Sequence, residues 1–513
     1  MSAPDKPQPV LGRRRAGVLL HITSLPGEGG PGTLGREAYR FVDFLAEAGF
    51  TVWQTLPLGP VDEHLSPYKS ISTHAGHAGL IDLPLLLQEP WLAGYTPTDE
   101  QRAGGWASCI DALFQFFSVT DSPAREELAR QYQNFQDEQA FWLEDYAFFV
   151  ALGRFHGGLP WHRWEDAFRQ RDPAALRLFS LEHHTLLQTI IFEQFIFFYQ
   201  WQKLHRYARR KGVFIFGDLP IFVAHDSADV WANQRLFNLN SSGEAVTLAG
   251  VPPDYFSDSG QLWGNPHYRW ETMQEDQFRW WRERLATSQR YFDLVRLDHF
   301  RGLEAYWEVP AADRDARGGW WTRAPGGELL EAVFREFPDL ELVAENLGVI
   351  TPGVEALRRR FALAGMSVLQ FGFDGNPDNP HLLHNHEPLQ VTYTGTHDNA
   401  PLAEWYESLT PAGREVLRRY FFFAAGDATW LLNQAAFSSV ARLAIIPLQD
   451  LLGLGSEGRM NIPGTTGDNW QWQLRWSQMP DGLAGRVREL LRCYGREPPP
   501  DGEDCDPQVA DGA

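Results

Sequence analysis

The sequence predicts an α/β protein of the (β/α)8 barrel class with inserted, largely helical subdomains. Two observations carry this. Eight short apolar runs recur along the 513 residues, each closing on polar, Gly or Pro residues. Most are near-continuous rather than alternating, as parallel strands buried on both faces are. Helical patterns also lie between several of the runs. Strands alternating with helices in this number close most simply into a barrel.

The elements follow in order. "AGVLLHI" (16–22) is the first strand. The "RRR" before it gives the look of a signal peptide, but the apolar run is short and leads into "TSLPGEGG" without a small-residue cleavage site. A helix is expected over 33–48, with Leu34, Ala38, Phe41, Val42 and Leu45 on one face and Gly49 as its stop. "TVWQTLPL" (51–58) is the second strand and "GVFIFGD" (212–218) the third. The interval between them far exceeds the roughly 30 residues of one βα unit. It predicts a helical insertion at about 60–211, with helices near 134–156 and 184–210. A second insertion, at about 226–291, carries the loop "GVPPDYFSDSGQLWGNP". "FDLVRLD" (292–298), "LELVAE" (340–345), "MSVLQFGF" (366–373), "LQVTYTGTHD" (389–398) and "ARLAIIPLQD" (441–450) complete the eight. Thr351-Pro352 reads as the N-cap and first residue of a helix. The barrel with its insertions is expected to fill 1–494, and the Pro-, Gly- and acid-rich 495–513 to be a disordered tail.

Composition narrows the function. A net charge of −21 argues against nucleic acid and anionic membranes, which need a basic footprint. No apolar run approaches the ~18 residues of a membrane span, and the best candidate, "IIFEQFIFFYQW", is broken by Glu193 and Gln194. Cys109, Cys493 and Cys505 lie far apart and match no metal or disulfide spacing, which suits a reducing cytoplasm. Twenty tryptophans are many, and a Trp face stacks on sugar rings. In an acidic chain this points towards carbohydrate. No cofactor and no metal are expected. "GPGTLG" (30–35) matches a dinucleotide fingerprint, but "TSLPGEG" separates it from the first strand, and the second strand carries no acid. His381, His384 and His386 have ligand-like spacing but follow Pro380 in a polar loop.

In a barrel the catalytic groups stand at the C-terminal ends of the strands. Asp218, Asp298, Glu345 and Asp398 occupy such ends. Residues two apart on a strand share a face, so Arg296 and Asp298 both point into the barrel mouth. An arginine so placed keeps a carboxylate ionised, as a nucleophile must be. Glu345 closes the very apolar "LELVAE", and desolvation favours a protonated carboxyl, as a general acid must be. Glycoside cleavage needs such a pair. A strand-end acid also serves commonly as a helix N-cap, and spacing alone does not choose the reaction.

At these residues the chain resembles the amylomaltase family, the 4-α-glucanotransferases or disproportionating enzymes. The motifs run from "LLHITSLPG" to "RMNIPGTTGDNW" and include "LPLGP", "SPY", "GDLPIFVAHDSADVW", "GVPPDYFSDSGQLWGNP", "VRLDHFRGLEAYWEVPA", "AENLGVITP" and "YTGTHDN". The resemblance implies that Asp298 is the nucleophile forming a covalent glycosyl-enzyme, Glu345 the acid and then the base, and Asp398 the residue that holds substrate and stabilises the oxocarbenium-like transition state. It implies that Ser66, Tyr68, Asp218, Arg296 and His397 line the substrate site. Tyr255, Phe256 and Trp263 would lie on a loop covering the groove, and Asn461 would come from the segment after the last strand. The implied fold is the barrel without a C-terminal β-sandwich. The implied reaction retains configuration, which predicts two carboxyl groups about 5–5.5 Å apart. The implied substrates are α-1,4-glucan donors and acceptors, maltooligosaccharides and glucose.

The chain departs from the family pattern in places. Asn346 follows the acid where the family usually has Asp, Ala400-Pro401 replace Asp-Thr, Lys69 replaces Gln, and "HAGHA" replaces an Ala-Gly-Asn stretch. Asn346 removes a like charge beside Glu345, so Asn346→Asp is expected to raise the alkaline limb of the pH–rate profile. Two rivals remain from the sequence: an α-1,4-glucan hydrolase on the same site, and a non-catalytic glucan-binding protein.

Overall fold

The computed structural model describes residues 9–27, 29–119, 122–253, 258–421, 428–465 and 467–498. Eight parallel strands form one sheet in chain order: Arg15–Leu19, Val52–Gln54, Phe214–Leu219, Leu294–Leu297, Leu342–Ala344, Gly365–Val368, Gln390–Tyr393 and Leu443–Pro447. The first strand pairs with the eighth, Arg15 opposite Leu443. The fifth meets the sixth through a parallel bridge between Val343 and Ala364, where the Ala344 N–H donates to the Ala364 carbonyl at 2.8 Å. The barrel is therefore closed, and the fold is a (β/α)8 barrel.

Period-two alternation fills its interior. Val52, Phe214, Phe216, Leu294, Val343, Met366, Val391, Leu443 and Ile445 form one buried apolar cluster inside it. Gly17 stands where a Cβ would lie 2.5 Å from the Val52 carbonyl oxygen, so the first strand has no room for a side chain there. Continuing the same faces upward, Phe214 and Phe216 lead to Asp218, and Leu294 leads to Arg296 and Asp298. The apolar layers thus end in a charged top layer.

The elements begin and end for local reasons. The helix Arg36–Ala48 starts later than its apolar pattern suggests, because Thr33 Oγ1 donates to Asp82 Oδ2 at 2.6 Å and Gly35 is extended. It stops at Gly49, in the left-handed region at φ 79°, whose N–H reaches the Ala46 and Leu45 carbonyls. The helix Pro352–Arg360 is capped by Thr351, whose side chain accepts from the Val354 N–H. The first strand ends earlier than expected, since Ile22–Ser24 turns as a 3-10 segment.

Between the second and third strands lie the helices Gly105–Val119, Pro123–Gln139, Leu143–Phe155, Pro173–Glu182 and His184–Arg210. The last spans about 40 Å and buries Phe192, Phe195, Phe197, Phe198 and Trp201 against its neighbours. The region after the third strand differs from the sequence expectation of a loop. Thr247–Val251 and Gln261–Pro266 pair with Ala305–Pro310 and Trp320–Arg323 in a four-stranded antiparallel sheet. Two of its strands come from beyond the fourth barrel strand, a long-range pairing that no local pattern announces. The expected tail falls largely on residues outside the described ones. No helix among the described residues is long and apolar enough to cross a membrane.

Candidate active site

The charged top layer converges on one cation. Arg296, on the fourth strand, donates through Nη1 to Asp218 Oδ1 and Oδ2 at 2.8 and 2.7 Å. Its Nη2 lies 2.8 Å from Asp298 Oδ1. The side chains of Arg296 and Asp218 are 6% and 0% exposed, whereas that of Asp298 is 29% exposed, so only Asp298 presents its carboxylate to a ligand. Burial pushes the Asp218 carboxyl up, against the pull of Arg296.

After Asp298 the chain turns sharply. His299 sits in the left-handed region at φ 49° and ψ 48°, sparsely populated by non-glycine residues. The turn aims its N–H at Glu345 Oε2, 2.8 Å away, while the Leu347 N–H donates to Oε1 at 2.7 Å. Glu345 follows the fifth strand directly and is buried. Desolvation raises its carboxyl from 4.5 to about 7, assisted by the Asp298 charge and opposed by Arg296 and the two N–H groups. The residue after Asp298 thus touches the Glu345 carboxyl. One group is ion-paired and open to solvent; the other is desolvated and holds its proton near neutrality.

A third acid enters from the seventh strand. Asp398 is 45% exposed, with Asn461 Nδ2 donating to its Oδ1 at 2.6 Å and His397 Nε2 at 3.5 Å from its Oδ2. Tyr68, on the loop after the second strand, donates to Asp218 Oδ2 at 2.8 Å. Its hydroxyl also lies 2.8 Å from His397 Nε2. The single Tyr68 proton goes to Asp218, so His397 donates its Nε2–H to the Tyr68 oxygen. The Tyr68 and His397 rings stack at 5.3 Å between centroids, and Trp470 packs against both.

The structure thus gathers Tyr68, Asp218, Arg296, Asp298, Glu345, His397, Asp398 and Asn461 at one end of the barrel. Ser66 lies on the Tyr68 loop, its carbonyl accepting from the Lys69 N–H. Trp263, on an edge strand of the antiparallel sheet, meets the His299 ring edge-on at 4.8 Å. Tyr255 and Phe256 lie outside the described residues. The sequence did not point to His299, Leu347 or Trp470 as site residues. The first two act through backbone N–H groups, which carry no residue-type signal. "GDNW" was legible as a motif, but only packing brings Trp470 to Tyr68.

Asn346 faces away from the site. Its Nδ2 donates to Glu355 Oε1 and its Oδ1 accepts from the Met366 N–H, both at 2.7 Å. The three histidines of the polar loop are bonded within the protein: His381 Nδ1 accepts from the Val368 N–H, His384 meets Tyr420, and His386 meets Ser439. Among the described residues no group of three His, Cys, Asp or Glu is arranged to hold a metal ion.

Besides Glu345, the cluster sets three carboxyl groups, of Asp218, Asp298 and Asp398, around the single guanidinium of Arg296. Such a cluster favours positive charge developing on a bound ligand, and Glu345 can deliver a proton beside it.

A family model described as 4-alpha-glucanotransferase matches residues 20–478. The 4-alpha-glucanotransferase of Thermus thermophilus is 44% identical over 499 residues, covering 94% of this chain and 99% of that one. The 4-alpha-glucanotransferase of Synechocystis sp. is 44% identical over 501 residues, covering 95% and 99%. Among solved structures, the amylomaltase from Streptococcus agalactiae in complex with acarbose superposes with a TM-score of 0.88 at 35% identity, covering 95% of this chain and 100% of that one.

Proposed function

The chain belongs to the 4-alpha-glucanotransferase family, and we propose that it transfers α-1,4-glucan segments between maltooligosaccharides by double displacement. In the first step the Asp298 carboxylate attacks the anomeric carbon of the donor, and the bond to the leaving 4-oxygen breaks. Glu345 gives its proton to that oxygen. The covalent glycosyl-enzyme then meets a second glucan. The Glu345 carboxylate takes the proton from its 4-hydroxyl, and that oxygen displaces Asp298. Two inversions keep the α-configuration.

The other side chains fit supporting roles. Arg296, 2.8 Å from Asp298 Oδ1, holds that carboxylate in place. Asp398, with Asn461 and His397 beside it, faces the sugar and opposes the charge of the oxocarbenium-like transition state. Tyr68, Asp218 and His397 form a rigid wall whose hydrogen bonds are satisfied before substrate arrives. Trp263 offers an aromatic face beside the acid pair, suited to seating an acceptor sugar in place of water. A cytoplasmic setting agrees with the cysteine pattern.

The observation that carries this proposal is the pairing of a half-buried, arginine-bound Asp298 with a buried Glu345 that retains its proton to about pH 7. Incubation with maltotriose tests it. Transfer gives glucose together with a ladder of longer chains; shorter products alone would mean hydrolysis, and binding without turnover would mean a glucan-binding protein. Since the relative from Streptococcus agalactiae is seen with acarbose, acarbose is expected to compete with maltotriose.

A further inference from the structure

The seventh strand ends at Tyr393, and the chain passes through His397 and Asp398 to the helix Leu402–Ser408. Both ends of that loop are tied to one carboxyl group. Thr394 Oγ1 donates to Asp450 Oδ2, and the Leu402 N–H donates to Asp450 Oδ1, each at 2.7 Å. Asp450 lies in the helix Leu448–Leu452, directly after the eighth strand, and is 1% exposed. Its own carbonyl accepts from Asn433 Nδ2 at 2.9 Å, fixing it to the helix Ala428–Ser438.

Between the two ties the loop is stiff. The Thr396 N–H and hydroxyl both donate to Asn399 Oδ1, at 2.8 and 2.9 Å. The Asp398 N–H donates to Thr396 Oγ1 at 3.3 Å, and Gln370 Nε2 donates to the Ala400 carbonyl at 2.8 Å. A stiff loop held at both ends transmits any shift of its anchors to Asp398.

Stability alone is a poor reason for this carboxyl. Burial pushes it up to about 7, its side-chain partners are a hydroxyl and an N–H, and no ion pair to it is found among the described residues. Well-packed apolar residues commonly serve a core as well as or better than a buried acid without an ion-pair partner. We propose that Asp450 is a positioning residue for Asp398: by gripping both ends of the 394–402 loop it holds the Asp398 carboxylate at Asn461 and towards the sugar. This rests on the proposal that Asp398 contacts the reacting glucose.

Four proteins test it with maltotriose: the wild type, Asp450→Ala, Asp450→Asn and Thr394→Val. Each is measured for kcat, KM and Tm. Loss of the grip is expected to lower kcat about 10- to 100-fold in Asp450→Ala, since displacement by about 1 Å has that effect, with KM changed less than about threefold. Asp450→Asn restores kcat to within about threefold of wild type. Its amide oxygen accepts the Leu402 N–H and its amide N–H donates to Thr394 Oγ1. Thr394→Val cuts one tie with an isosteric side chain and lowers kcat about three- to tenfold. It carries the test should the alanine variant not fold. Wild-type kcat in the folded alanine or valine variant, with only Tm lowered, overturns the proposal. A wild type that builds no ladder instead removes the transferase reading beneath it.

Discussion

The pH dependence of transfer follows from one carboxyl. Glu345 is neutral below about pH 7 and ionised above it, because burial raises it from 4.5. That rise corresponds to about 3 kcal/mol of preference for the proton, at about 1.4 kcal/mol per pH unit. The general acid must carry its proton to expel the leaving sugar, so the active form lies on the acid side. Above pH 7, kcat/KM for maltotriose is expected to fall about tenfold per unit, reaching roughly a hundredth of its plateau at pH 9. The contrast is a glucosyl-fluoride donor, whose leaving group needs no proton. Its rate of glycosyl-enzyme formation is expected to stay nearly level across the same range. Initial rates on both donors from pH 5 to 9 decide the matter. Maltotriose activity that stays flat to pH 9, or a fluoride donor with the same alkaline fall, would falsify the assignment of Glu345 as the acid. The same linkage has a stability arm. A carboxyl with a raised folded value stabilises the native state fully below about 4.5 and ceases to as pH climbs through 7.

Other perturbations test other links. Asp298→Asn is expected to lower turnover by at least about 10³-fold, the scale seen when a nucleophile is lost, without unfolding; a rate near wild type would show that Asp298 does not attack the sugar. Asn346→Asp sets two carboxylates against each other where Nδ2 now donates to Glu355. Urea melts should show a loss of about 1–3 kcal/mol, and the alkaline limb should rise by less than about one pH unit because the side chain faces Glu355 and Arg358 rather than Glu345; an unmoved limb would end the charge argument. Trp263→Ala removes the aromatic face beside His299 and is expected to raise the share of hydrolysis in maltotriose products severalfold; an unchanged share would free Trp263 from that role. Gly217→Ala would put a Cβ 2.1 Å from the Phe292 ring, an overpacking expected to cost about 1–3 kcal/mol, read as a lowered urea midpoint.

Much of the barrel is legible in the chain because strand burial leaves a one-dimensional trace. The runs at 292–298 and 340–345 alternate so that Arg296, Asp298 and Glu345 emerge on the inward face above Leu294 and Val343. Helix ends such as Thr351 and Gly49 are likewise local, set by side-chain oxygens and left-handed backbone within one turn. The antiparallel sheet was not legible, since it joins Thr247–Val251 to Ala305–Pro310 across the fourth barrel strand. Nor was the direction of Asn346, whose neighbour Glu355 comes from the next helix.

Residue order by itself determined which side chains stand at the tops of the strands, because alternation with a period of two depends only on position along the chain. Tertiary structure decided their surroundings. Closing the barrel buries Glu345 and Asp218, leaves Asp298 and Asp398 in the mouth, and sets one guanidinium between Asp218 and Asp298. Desolvation and Coulomb forces act through space, so the chemical difference among these acids exists only once distant strands have met.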